Sequence, residues 1–572
     1  MLRLPAGPSA RFSAAVAAIA LIPMAVSGAT RLPCRLHRLA LRLGVVLGAL
    51  VWTTLLVSAV GVVRTHAAID EAQRDAKAGL EAAQAGDPEG AARHLRDATA
   101  AFAAARSVAG GWTTWPSRQL PGVAQQLDAL HDAAGTGAAA STVALTGARD
   151  IDLDRLRLDG GRFDLDAVRD YQAVLERAQA GLHEVRRTVP ARSTWLVPPV
   201  SDGLDRLERT LAEADESAAT AVEATRLAPA ILGADRPRHY FVAFVTPAEA
   251  RAPGGFMGNH AVLTLDHGKL SLGPIGRTID LNLTGDRAAK HLDGPADYVA
   301  RYGRFGVERY WQNITMSPDW PSVGDAVAQL YPQSGGQPID GVLRLDPFAL
   351  SGLLSLTGPI DVPGLDRPID EEYVVPYLLR GQYGDFSQNT ARKEILGFVG
   401  RAAFDELTSG EGAGPGELAE ALGPAARNQN LAMWMADPDE QALMARIHVD
   451  ASVDVPAGQD AFGVTNQNAG ASKIDSFLRR TVTYRARVDA RTGKVRATAT
   501  ILLENTAPAS GRSGYLIGNS VGLPLGWNRS YVSAYSALVP TSVTLDGLPI
   551  QPGWSASSGS TWWPATSTSA PG

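Results

Sequence analysis

Residues 43–63, LGVVLGALVWTTLLVSAVGVV, carry no charged side chain over 21 positions. A helix rising ~1.5 Å per residue covers roughly 30 Å over that length, the hydrocarbon thickness of a bilayer, so the pattern predicts a transmembrane helix rather than a buried core helix. Beyond it, apolar positions recur three and four apart at Ile69, Ala72, Ala76, Leu80 and Ala83. After the stop and restart Gly86-Asp87-Pro88, they recur again at Ala91, Leu95, Ala98 and Phe102. This spacing lays one apolar stripe along a helix. Further helices are predicted at about 121–134, 164–188 and 201–227, so 64–230 reads as an all-α stalk or antiparallel bundle, a spacer with no catalytic constellation.

At His239 the period changes to that of strands. HYFVAFV, HAVLTLD and LSLGPI are strand-like, separated by the Pro/Gly-rich loop 247–259 and by the turn His267-Gly268-Lys269. Helix and strand then alternate: a helix at 321–330, a strand at 340–345, a helix at 347–356 opened by Pro347, a short strand at 359–362, and helices at 370–379 and 390–407. Alternation of this kind predicts a layered α/β domain over 236–450. Residues 479–490 and 494–504 alternate in polarity around a turn containing Gly493, and further short strands run to about 550. These predict a small antiparallel β domain of sandwich type over 475–550. The Ser/Thr/Pro-rich residues 551–572 read as a disordered tail, or as a truncated or frameshifted gene end.

At 572 residues the chain exceeds one core and is multidomain. Its 45% hydrophobic and 20% charged residues, with mean hydropathy −0.05, exclude both a disordered chain and a polytopic transporter. A single cysteine, Cys34, excludes a disulfide scaffold and a Cys-based metal or redox site. Net charge is −6, yet residues 1–64 hold seven Arg and no Lys, Asp or Glu, so the remainder carries −13. An acidic body argues against nucleic acid as the partner. Only six of the 53 basic residues are Lys, a bias of the kind a GC-rich genome imposes.

Arg31, Arg35, Arg38 and Arg42 precede the apolar run, and Arg64, Asp70 and Glu71 follow it. The positive-inside rule then places 1–42 in the cytoplasm as a basic segment, makes 43–63 a single-pass signal anchor in the plasma membrane, and puts the bulk of the chain outside. The shorter apolar stretch 14–26, broken by Pro23, fits a second span, a signal peptide cleaved near 27–29, or translated upstream sequence from a misplaced start codon; the last reading is preferred, because Arg on both sides gives no clear orientation.

Three stretches are candidates for chemistry. In EARAPGGFMGN, Gly254 and Gly255 bring backbone N–H groups close to a ligand, and Arg251 can fork onto a phosphate or carboxylate; a structural turn with Arg251 paired to Glu249 is the alternative. In NITMSPDWP, Asp319 lines a cleft or caps the helix behind it. In GDFSQNTARK, Asp385, Ser387, Asn389, Arg392 and Lys393 gather at a helix start, which favours anions or simply receives a cap. No metal-binding spacing of Cys or His occurs, and His239 and His260 read as half-buried strand residues.

The runs ARAPGGFMGNHAVLTLDHGKLSL, NITMSPDWPSV and QPIDGVLRLDPFALSGLLSLTGPIDV resemble the bacterial domain-of-unknown-function family numbered four thousand and twelve, found in actinobacteria and Chloroflexi. IDGVLRLDPFALSGLLSLTGPIDV and GDFSQNTARKEIL also resemble segments of the LytR-CpsA-Psr phosphotransferases. That second resemblance implies an outward-facing, single-span enzyme moving wall glycopolymers from a polyprenyl-pyrophosphate carrier, with arginines on the pyrophosphate and aspartates on Mg²⁺. It implies phosphate-holding roles for Arg251 and Arg277 and a metal-holding role for Asp385. Gly254 and Gly255 stand where an acidic residue is expected, Thr278 where an Asp is expected, and Gln388 where an Arg is expected. A Mg²⁺ clamp needs that negative charge.

The sequence therefore supports a membrane-anchored cell-envelope protein, with no cofactor, that binds an anionic or glycan ligand through Arg251, Gly254, Gly255, Arg277, Asn389 and Arg392. A divergent phosphotransferase or hydrolase of lipid-linked glycopolymer precursors, using Asp319, Asp385 and Mg²⁺, is the alternative, with Asp280 as a substitute carboxylate. A non-catalytic scaffold for protein partners is the third reading.

Overall fold

The computed structural model describes residues 34–570 apart from 112–113, 116–117, 119–121, 191–195, 253, 386–388, 410–411, 454–458, 551–554 and 558–559. The stretch 14–26 lies outside the described residues. Two compact units divide the chain: residues up to 153 with 169–226, and 154–168 with 227–572.

The first unit is helical. Helix α1 (Cys34–Gln84) contains the uncharged run and continues without a break into the stripe that begins at Ile69. Among the described residues no helix is long and apolar enough to cross a membrane; the side chains of much of 43–63 lie outside them. Helix α2 (Pro88–Gly110) starts where Asp87 accepts the Gly90 N–H at 2.7 Å, with Pro88 in the first turn. Helix α3 (Val123–Asp150) lies against α1 and α2, and α4 (Leu165–Arg186) and α5 (Pro198–Ile231) complete the helical run. The core joins Ile69, Ala72, Phe102, Leu130, Leu182, Leu204 and Leu207. Small residues let the backbones approach: a Cβ on Gly137 would meet the Phe102 ring at 2.5 Å.

The second unit is built on a mixed six-stranded sheet, comprising β1 (Arg238–Thr246), β2 (Phe256–Asp266), β3 (Lys269–Leu272), β4 (Gly276–Arg277), β5 (Gly341–Leu345) and β6 (Leu431–Met435). Its order is β3-β2-β1-β5-β6, with β4 also on β2. β1 and β5 run parallel and the other pairs antiparallel. β1 is central and buried on both faces, which explains its nearly unbroken apolar run. Phe241, Ala243 and Val245 pack on one face under Trp320, Val323 and Val327 of helix α6 (Trp320–Gln333). Val242 and Phe244 form the core of the other face, where helix α8 (Asn389–Leu407) brings Gly400 against the Phe244 ring. Helix α7 (Pro347–Thr357) follows β5 and is capped by Asp346, which accepts the Phe348 and Ala349 N–H groups at 2.8 and 3.0 Å.

Several elements differ from the pattern-based expectation. The strand at 359–362 is a single bridge, Ile360 to Ile369, since Pro359 and Pro363 interrupt ladder formation. The helix at 370–379 is a short α turn (Val374–Pro376) running into a π turn (Tyr377–Gly381). The C-terminal strands divide among a four-stranded antiparallel sheet, a separate hairpin and a minor two-residue pairing of Thr544–Leu545 with Leu548–Pro549. The hairpin is β8 (Leu478–Val488) with β9 (Val495–Asn505). The four-stranded sheet pairs β7 (Phe462–Asn468), β10 (Asn528–Ser536), β11 (Ser555–Ser557) and β12 (Ser560–Ser569) in the order β11-β12-β10-β7. Its first strand begins before 475, and its last two come from the segment read as a tail, where Thr-rich sequence is as compatible with a strand as with a linker.

Candidate functional site

The glycine loop between β1 and β2 is bound to the protein itself. The Ala250 N–H donates to Asp475 Oδ2 at 2.8 Å and the Ala252 N–H to Gln467 Oε1 at 3.0 Å, so two donors expected to cradle an anion are used internally. Arg251 is buried; its Nη1 donates to the carbonyls of Ala250 and Asn468 at 2.9 Å each, and its Nη2 lies 3.4 Å from Glu249 Oε1. Burial lowers its pKa against the opposing pull of Glu249 and Asp475. The glycines are required by packing. A Cβ on Gly254 would sit 2.7 Å from Cδ of buried Arg344, and Gly255 has φ +91° with its Cβ position 2.2 Å from the Thr246 carbonyl oxygen. Arg251, Gly254 and Gly255 are thereby corrected from ligand-binding candidates to parts of a structural turn.

Asp319 is a helix cap. Its Oδ2 accepts the Ser322 N–H at 3.0 Å and the Ser322 hydroxyl, and its Oδ1 accepts the Val453 N–H at 3.0 Å, so three of its roughly four acceptor sites are used in capping and tethering this helix. The side chains of Asp385, Ser387, Asn389, Arg392 and Lys393 lie outside the described residues.

Arg277 alone among the described candidates lines a cleft, one of about 250 Å³. β4 holds it beside Asn259 of β2, and its guanidinium grips Asp280 through Nε–Oδ2 at 3.1 Å and Nη2–Oδ1 at 2.6 Å. That grip holds the Asp280 carboxyl below the usual range. A second cation, Lys473, comes from the connection after β7; its Nζ donates to Glu249 Oε2 at 2.7 Å and sits 4.2 Å from the centroid of the Phe256 ring. Phe256, Tyr383 and Tyr515 supply aromatic surface, and Asn259, Gln312 and Gln382 supply amides. Glu249 thus joins the buried Arg251 to the cleft cation Lys473. Pattern reading missed Lys473, Tyr383 and Tyr515 because no local signal marks them; only the fold brings them to Arg277. Cations, aromatic faces and amides together suit a ligand with both anionic and hydroxyl groups. Among the described residues no three His, Cys, Asp or Glu side chains gather as a metal site would require.

Residues 235–383 match the family model described as Protein of unknown function (DUF4012). The matched segment contains Arg277, Asn259, Phe256 and Tyr383, whereas Lys473 and Tyr515 lie beyond it, so the cleft is assembled from residues inside and outside the match. No curated protein matches the chain. A crystal structure described as the transcriptional regulator yvhJ from Bacillus subtilis is 16% identical, covering 40% of this chain and 84% of that one; its TM-score of 0.20 carries no argument.

Proposed function

We propose that this chain is a membrane-anchored, extracytoplasmic cell-envelope protein whose cleft binds an anionic or glycan ligand without transforming it. The observation that carries the reading is that Arg277 and Lys473 line the same cleft, together with the rings of Phe256, Tyr383 and Tyr515 and the amides of Asn259, Gln312 and Gln382. The anchor is supported by the uncharged run 43–63 within one continuous helix, where Val45, Val46, Trp52, Val57, Val60 and Val63 are exposed. The phosphotransferase alternative needs carboxylates free to hold Mg²⁺. Asp280, the carboxylate beside Arg277, is paired with it, and among the described residues no further carboxylates gather with it as a metal clamp would need.

Isothermal titration of the full chain in detergent with a phosphorylated disaccharide, its unphosphorylated counterpart and inorganic phosphate tests the reading. The phosphorylated sugar binds tightest, and Arg277→Ala weakens it roughly 10- to 100-fold, the worth of a hydrogen bond to a charged group. Arg251→Met lowers stability and leaves affinity unchanged. Equal affinity in wild type and Arg277→Ala would sink the site, and Mg²⁺-dependent release of phosphate or sugar would replace binding with transfer or hydrolysis.

A further inference from the structure

The hairpin β8–β9 is distinct from the cleft and unusually basic for this chain. Residues 478–505 hold six Arg and one Lys against Asp489 and Glu504, within a protein of net charge −6. The register sorts these charges by face. Arg479, Thr481, Thr483, Arg485 and Arg487 lie opposite Glu504, Leu502, Thr500, Thr498 and Arg496, and together they form one side of the ribbon. The other side is Arg480, Val482, Tyr484, Ala486 and Val488 with Leu503, Ile501, Ala499, Ala497 and Val495.

This second side is the anchored one. The Tyr484 ring stacks on Phe462 at 5.1 Å, the Tyr484 hydroxyl donates to Asp460 at 2.7 Å, and Arg480 donates to the Val464 carbonyl and to Asn466 Oδ1 at 3.1 and 3.3 Å. The Arg/Thr side faces away from that anchor, and Arg485, Arg487 and Arg496 on it are exposed and make no ion pair among the described residues. Arg487 stands directly across from Arg496, a cross-strand pairing of like charges that destabilises a ribbon unless an anion lies over both. Charges placed only to block edge-to-edge pairing need not gather on one face. At the root of the ribbon the basic strip continues: Arg380 has its pKa lowered by burial and then by the nearby charges of Arg512 and Arg479.

We propose that the Arg/Thr face of the β8–β9 ribbon binds a linear anionic polysaccharide. Eleven residues per strand at ~3.4 Å give a track of roughly 35 Å, longer than a compact ligand uses. Arginine forks take carboxylate, sulfate or phosphate groups, and threonine hydroxyls take sugar hydroxyls between them. A bilayer surface would draw charge and several apolar side chains in from one side, whereas here only Leu502 accompanies the arginines and Val482 and Val488 lie on the opposite face. Single-stranded nucleic acid would need aromatic rings on the basic face, and Tyr484 is on the other.

The test is binding of the full chain to long-chain dextran sulfate, to a sulfated disaccharide, to single-stranded DNA and to phosphatidylglycerol vesicles, with wild type and Arg485→Ala/Arg487→Ala/Arg496→Ala. Wild type binds the long polymer more tightly than the other three probes. The triple variant loses roughly tenfold or more in that affinity, with a visibly shallower salt dependence. A matching triple Lys variant restores the salt dependence, and the triple Ala variant keeps its melting temperature and its cleft binding of phosphorylated disaccharide. Unchanged polymer affinity in the triple Ala variant overturns the proposal, as does tighter binding to vesicles or DNA. Because Arg277→Ala is the cleft variant, failure of the ribbon and failure of the cleft are read separately.

Discussion

Arg251 and Lys473 exchange the roles that side-chain type alone assigns. Arginine in a glycine loop suggests an anion fork, yet Arg251 is spent on two carbonyls and Glu249, while Lys473, unremarkable in sequence and equally buried, pairs with the same Glu249 and lines the cleft. His260 shows burial acting on a single group. Its ring lies parallel to Phe241 at 5.3 Å and edge-on to Tyr331, and its Nδ1 is buried with no hydrogen-bond partner among the described residues. Burial therefore disfavours the imidazolium and lowers the pKa to about 4, with Asp280 pulling weakly the other way. The unfolded chain takes this proton near the ordinary value of about 6.5 and the folded chain does not. Stability present above that pH is lost as pH falls toward about 4, by up to ~1.4 kcal/mol per pH unit. Urea midpoints at pH 7 and pH 5 should differ more for wild type than for His260→Phe; identical differences would show that His260 is not the group responsible.

Elements follow local chemistry where their partners are near in sequence. Asp87, Asp319 and Asp346 each cap the helix that follows a Pro-containing first turn, a signal read within four residues. The glycine loop is the opposite case, since Thr246, Arg344 and Gln467 decide its geometry. Gly255→Ala should cost roughly 2 to 4 kcal/mol, because φ +91° and a 2.2 Å approach to the Thr246 carbonyl leave no room for a methyl group. A denaturation midpoint measures this directly. A loop serving as an anion cradle would instead lose affinity and keep its stability.

For the whole molecule, the helical run and the sheet-based unit give the proposed anchor a clear consequence. Protease added to spheroplasts should digest everything after about residue 64 of the full chain and leave a short membrane-embedded N-terminal fragment; full protection would place the bulk of the chain on the cytoplasmic side. Much of the fold was legible without coordinates. The run HYFVAFV marks the central strand because a strand buried on both faces has no polar alternation to show, and the three- and four-residue spacing from Ile69 to Phe102 marks the helices that bury those positions. Strand partners were not legible, as in the C-terminal segment that reads as a tail and pairs with Asn528–Ser536. Of the cleft lining, only Arg277 was legible. Sequence by itself determined periodicity, caps and charge distribution, since these depend on neighbours a few positions apart. Tertiary structure decided which cation lines the cleft: Arg251 meets a carbonyl 217 positions away and Lys473 a carboxylate 224 positions away. Burial of those partners makes each contact strong enough to outweigh what the local motif suggests.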